Sequence, residues 1–153
     1  MATAERRATS LSTTELSILG LLLSGERSGY DLKKAADAGV GYVWTAAKSQ
    51  VYAVLPRLVE GGYATVRTVA QERRPDKQVY RVTSKGRVEF VRWLEEPVEP
   101  RPGRHDLFLL KVFFGGRMSR EALVAHIERH RAYAAGKLAE FREKWESARA
   151  PQM

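Results

Sequence analysis

Residues 45–62 read TAAKSQVYAVLPRLVEGG, and the two sides of this one segment decide the fold. At 100° per residue, Val51, Leu55 and Leu58 point one way with Ala47 and Val54 beside them, a spacing that predicts a helix packed on a core. The opposite side carries Ala46, Ser49, Gln50, Ala53 and Arg57, flanked by Lys48 and Tyr52. These are small residues that permit close approach mixed with hydrogen-bonding ones, where a merely solvated helix would carry Glu and Lys. Thr45 stands at the start of the helix and Gly61 and Gly62 at its stop. Pro56 falls on the outer side. Its missing amide leaves the Tyr52 carbonyl to solvent, and the helix is expected to bend after Tyr52.

Two further helices precede this one. Ser12 is spaced to cap the amide of Glu15 while Glu15 reaches back, and Leu11 is placed to staple onto Leu16. Leu16, Leu19, Leu22 and Leu23 form the expected buried face of that first helix. In SGYDLKKAADAG, Ser28 and Asp31 repeat the capping spacing, and Gly39 or Gly41 is expected to supply a left-handed stop. Lys33 and Lys34 lie on its outer side. Residues 1–10, MATAERRATS, have no apolar period and read as a flexible arm from which Arg6 and Arg7 can reach a phosphate.

After Gly62 the period changes to two. ATVRTVAQ and KQVYRVT alternate and are rich in β-branched residues, and ERRPD between them is turn chemistry, so residues 64–83 read as a hairpin. Thr83 then caps SKGRVEFVRWLEE, which ends before Pro97. Three helices followed by a hairpin with a basic tip make residues 11–96 a winged helix-turn-helix, and the chain as a whole mainly α with a small β-hairpin. In that architecture the third helix enters the major groove, and its first turns read base edges. Gln50 matches adenine and Ser49 is less selective. Thr45, Ala53 and Arg57 share that side, while Lys33, Lys48 and Tyr52 suit phosphates. Arg73, Arg74 and Lys77 at the hairpin tip suit a phosphate or the narrow minor groove.

The proline-rich segment PVEPRPG places a linker at 97–102, followed by a helical region at 103–153. HDLFLLKVFFGG is a short apolar helix for which Asp106 is a good cap. A last helix begins after Ser119, its stripe of Leu123, Ile127, Ala134, Leu138, Phe141 and Trp145 having His130 in the gap. One short helix cannot cover a stripe of that length, so a second copy of the chain is the economical way to bury it. Two-fold symmetry would set two recognition helices ~34 Å apart and make the operator a pseudo-palindrome.

The formal charge of +8 and pI of about 10.0 favour a polyanionic partner. With no cysteine there is no disulfide, thiolate nucleophile or cysteine-bound zinc. No nucleophile motif or phosphate-cradling glycine loop is present, so neither enzyme activity nor a cofactor is expected. LSILGLLL is far shorter than the ~20 residues of a bilayer span, and the cytoplasm is the expected compartment. His126 and His130 have the spacing of a helical metal pair, yet HIERH lacks the HExxH pattern. His130 is expected in the dimer seam and His126 on the polar surface. Phe90, Trp93, Phe108, Tyr133 and Trp145 are candidates to line a cavity between subunits that holds a small hydrophobic or aromatic effector. The rival readings are a winged-helix module that binds proteins, and a metal sensor through His126 and His130.

GYDLKKAA, SQVYAVLPRLVEGGYAT, RPDKQVYRVTSKG and LFLLKVFFGG together resemble the PadR family of transcriptional regulators, including the subgroup with a long helical C-terminal domain. The resemblance spans most of residues 11–145 and is most specific between Ser49 and Gly86. It implies a homodimer in which the C-terminal helices and the first helix exchange contacts. It further implies binding to a near-palindromic operator, repression of nearby genes, and a response to small aromatic or drug-like ligands. Pro56 departs from the polar helix former that the resemblance implies at that position.

Overall fold

The structure, a computed structural model, describes residues 9–41, 44, 46–98 and 106–149, with only the backbone of 46–48. The first helix, α1 (Thr13–Leu22), starts at the expected box: Ser12 accepts from the Glu15 amide at 3.1 Å, and the Glu15 carboxylate accepts from the Ser12 amide at 2.7 Å. Its burial is wider than four leucines. Every residue from Thr14 to Leu22 is buried, because α1 is the central rod of the domain and other elements pack around all of it. Ser17 satisfies its hydroxyl within the helix by donating to Thr13 O at 2.8 Å.

A two-residue strand, β1 (Arg27–Ser28), leads into α2 (Gly29–Ala35), where Ser28 accepts from the Asp31 amide at 3.1 Å. The left-handed stop expected at Gly39 or Gly41 does not occur. The chain widens into a π-helical turn over Ala36–Val40, and Gly41 is right-handed at φ −64°. Leu32, Ala36 and Val40, spaced four apart, are all fully buried. An ordinary α-helix drifts off that spacing, and the wider turn keeps Val40 on the core.

The segment that opens the sequence reading is α3 (Ala46–Glu60), which runs unbroken through Pro56 with the proline on the solvent side. It ends in a Schellman arrangement: Tyr63 N–H donates to Leu58 O at 2.9 Å and Gly62 N–H to Val59 O at 3.1 Å, with Gly62 at φ +77°. Strands β2 (Ala64–Val69) and β3 (Lys77–Val82) form the hairpin, in register from Ala64 opposite Val82 to Val69 opposite Lys77. β1 adds to the far edge of β3, giving the order β1-β3-β2, a third strand that two residues are too few to announce in sequence.

Thr83 caps α4 (Ser84–Glu95), accepting from the Gly86 amide at 3.1 Å. Beyond the segment 99–105, which lies outside the described residues together with most of the expected linker, Asp106 caps α5 (Leu107–Phe113) at 3.2 Å from the Leu109 amide. A short 3-10 turn (Gly115–Arg117) leads to α6 (Arg120–Arg149), capped by Ser119. The core does not stop at the proline-rich segment. Leu110 and Phe114 belong to the same cluster as Leu19, Leu58 and Phe90, and Phe114 meets the Phe90 ring edge-on at 5.2 Å. Gly20 makes room for this: a Cβ there would fall 2.5 Å from the Phe114 ring and 2.8 Å from Phe90.

Candidate nucleic-acid interface

Helix α3 divides as its spacing predicts. Val51, Val54, Leu55 and Leu58 are buried, while Ser49, Gln50, Tyr52, Ala53 and Arg57 are exposed. Thr45 and the side chains of Ala46, Ala47 and Lys48 lie outside the described residues, as do Arg6 and Arg7. Tyr52 is held by its neighbour α2. Its ring lies against Gly29, where an added Cβ would come within 2.8 Å of the ring.

Arg57 faces partly inward along the surface, its Nε 3.9 Å from the Glu15 carboxylate that closes the α1 box. At that distance, and with the guanidinium mostly exposed, the pair is loose and leaves the side chain available to a ligand. Lys33 is exposed on α2, and Lys34 beside it lies over the Tyr30 ring at 5.6 Å.

The wing turn presents Arg73, Arg74 and Lys77 to solvent. Its base is braced by Arg67 on β2, which donates to Glu26 at 2.7 Å and holds that carboxyl below its usual range. Between the wing and α3 lies a hollow of about 560 Å3, bounded by Tyr52, Tyr80, Arg74, Lys77 and Gln78 on one side and the start of α2 on the other. Two cations, three phenols and two amides outnumber the single carboxylate, Asp31, around this open hollow, a lining that suits a phosphate diester better than an apolar molecule.

The five aromatics expected to line a cavity between subunits occupy separate places within one chain. Phe90 and Trp93 are core residues, because Gly20 lets Phe90 lie flush on α1 and Trp93 packs beside it at 5.9 Å. Phe108 stacks on His130 at 3.9 Å, with Tyr133 at 6.3 Å from the same ring. Trp145 stands three turns further along α6, ~18 Å away at 1.5 Å per residue, and is 64% exposed.

His126 is also placed differently from the polar surface expected for it. It is buried, with Nε2 donating to Leu94 O at 2.9 Å, so that nitrogen is taken from any metal site shared with His130. The residue that sequence reasoning missed is Lys111. Its ammonium is buried, donating to Trp93 O at 2.5 Å and Glu96 O at 2.8 Å and lying 4.8 Å over the Trp93 ring. Desolvation pulls it down to about 8, against a weaker upward pull from Glu96. A lysine inside the otherwise apolar LFLLKVFF was the available signal, since buried lysines need a partner.

Comparison with known proteins matches residues 18–92 to the transcriptional regulator PadR-like family and residues 105–152 to the virulence activator alpha C-terminal family. A probable transcriptional regulator of Mycobacterium tuberculosis is 42% identical over 88 residues, 57% of this chain and 47% of its own length. The negative transcriptional regulator PadR of Bacillus subtilis is 38% identical over 106 residues, 68% of this chain and 57% of its own. The chain thus spans about half the length of these two relatives. The crystal structure of Bacillus subtilis PadR in complex with operator DNA is similar at TM-score 0.55 and 30% identity, over 95% of this chain and 80% of that one.

Proposed function

The chain belongs to the PadR-like family of transcriptional regulators, and from that premise we propose that it is a homodimeric, sequence-specific DNA-binding regulator that represses from a pseudo-palindromic operator. The observation that carries this reading is the side of α3 turned away from the core. Ser49, Gln50 and Ala53 are exposed there, short or stiff enough to reach base edges, beside a wing turn that carries three cations. Gln50 reads adenine, Ser49 and Arg57 contribute at neighbouring positions, and Thr45 and Lys48 extend the contact at the helix start. Tyr52, Arg74 and Lys77 hold the strand that passes through the hollow, Arg73 follows the groove, and Lys33 reaches the backbone from α2.

In this reading residues 11–96 bind DNA, 97–102 connect, and 103–153 dimerise. Support for a second copy comes from α6, a rod of 30 residues, about 45 Å long, whose Leu138, Phe141 and Trp145 are at least half exposed. Repression is supported by the name of the Bacillus subtilis relative as a negative regulator. Release by a small hydrophobic or aromatic ligand completes the proposal, with Phe108 and Tyr133 beside His130 as its candidate walls. Such a ligand must bind more tightly to a dimer whose reading helices are out of step with the half-sites, since only differential affinity shifts a population.

Selection of bound duplexes from a random DNA pool, followed by a salt titration of the winner, tests the reading. A palindromic winner whose affinity falls steeply with salt is expected. A chain that prefers no duplex at any salt concentration overturns it in favour of a protein-binding winged helix. Among the described residues no helix is long and apolar enough to cross a membrane.

A further inference from the structure

Helix α4 closes on a single turn bond of its own, Glu96 N–H to Trp93 O at 3.2 Å. Its last carbonyls are left over by the α-helical pattern, Glu96 is extended at φ −61° and ψ 135°, and Pro97 follows, so no left-handed residue closes the turn. Further donors come from the far side of the proline-rich segment. Lys111 on α5 donates to Trp93 O and Glu96 O, and His126 on α6 donates to Leu94 O. A link runs the other way as well: the Glu95 carboxylate accepts from the Ser119 amide at the head of α6, at 2.9 Å.

We propose that Lys111, His126 and Glu95 are positioning residues for DNA recognition: by clasping the end of α4 they fix the angle of α6 on the winged helix and so the half-site spacing that the dimer accepts. This rests on the dimeric DNA-binding reading above. Apolar packing alone permits sliding and rotation, whereas hydrogen bonds of this length are directional and admit one register. A buried ammonium is an expensive way to fill space, and a methionine would occupy it without the desolvation cost. What the lysine adds is geometry. The clasp sits at one end of a ~45 Å lever, where a tilt of about 10° carries the far end through ~8 Å, more than two base-pair steps of ~3.4 Å.

The test uses the full chain and a set of duplexes carrying the selected half-sites with the spacer changed one base pair at a time. The wild type, K111M, H126L, H126Q and E95A are compared, with circular dichroism and sedimentation recorded for each. The wild type is expected to favour one spacing sharply. K111M, H126L and E95A are expected to stay folded and dimeric, lose about tenfold at the best spacing and accept neighbouring spacings almost equally. H126Q, which keeps a donor at the position of Nε2, retains the sharp profile. Glu95 is exposed, so E95A decides the matter even if a core variant unfolds. A folded, dimeric E95A or K111M with the wild-type profile overturns the clasp. A wild type that favours no duplex overturns the DNA reading itself.

Discussion

Gln50 and Arg74 sit on different parts of the interface, and their substitutions should separate by kind of effect. On the proposed reading of adenine by Gln50, Gln50→Ala should relax discrimination at one base pair by about 1–3 kcal/mol with the salt dependence unchanged. Arg74→Ala should weaken all sequences alike and shallow the slope of log affinity against log salt by about one unit. Binding curves at several salt concentrations on matched and mismatched duplexes check both. Lys111 makes a prediction about stability. Because burial lowers its folded value to about 8, from an ordinary 10.5, the unfolded chain binds more protons between those values. This group therefore makes stability rise with pH across that window, while below about pH 8 both states are protonated and the desolvation penalty stands in full. Urea midpoints measured from pH 8 to 10 should climb more, or fall less, in the wild type than in K111M.

At the scale of elements, what was legible in sequence was what is local. Ser12, Ser28, Thr83, Asp106 and Ser119 each accept from an amide three residues on, and each has a side chain suited to a helix start. Gly61 and Gly62 end α3 for an equally local reason, because a positive φ closes the turn. Gly39 and Gly41 carry the same letter without that role, since Val40 is wanted on the core and the core lies outside the segment. Pro56 has a consequence for α3 as a whole. The ring forfeits the bond to Tyr52 O at up to ~3 kcal/mol, and restricts the unfolded chain by only ~0.4–1 kcal/mol. Pro56→Ala should therefore raise stability by about 1–2 kcal/mol in urea unfolding.

For the whole molecule the decisive quantity is association. Phe141 and Trp145 are exposed on α6 at a spacing of four, on a helix whose residues from Leu138 to Arg149 are all exposed. Phe141→Asp with Trp145→Glu should leave the winged helix folded, because neither side chain touches its core. The proposed dimer should fall apart in sedimentation equilibrium. Operator affinity should then drop to that of a single half-site, a loss of several orders of magnitude in avidity. Circular dichroism retaining its helical signal separates this outcome from unfolding.

The buried and exposed sides of α3, the wing and the apolar rod follow from spacing alone, because a period of 3.6 or 2 assigns each residue a face whatever the partner. The burial of α1 on every side, the third strand, the core positions of Phe90 and Trp93 and the joint made by Lys111 and His126 required the packed chain. These depend on which carbonyls and faces distant segments bring together, and nothing local to Trp93 shows that its carbonyl, already bonded to Glu96 N–H, takes a second donor from a lysine eighteen residues later. Local chemistry chose the elements, and the arrangement of the elements chose which polar groups had to be buried.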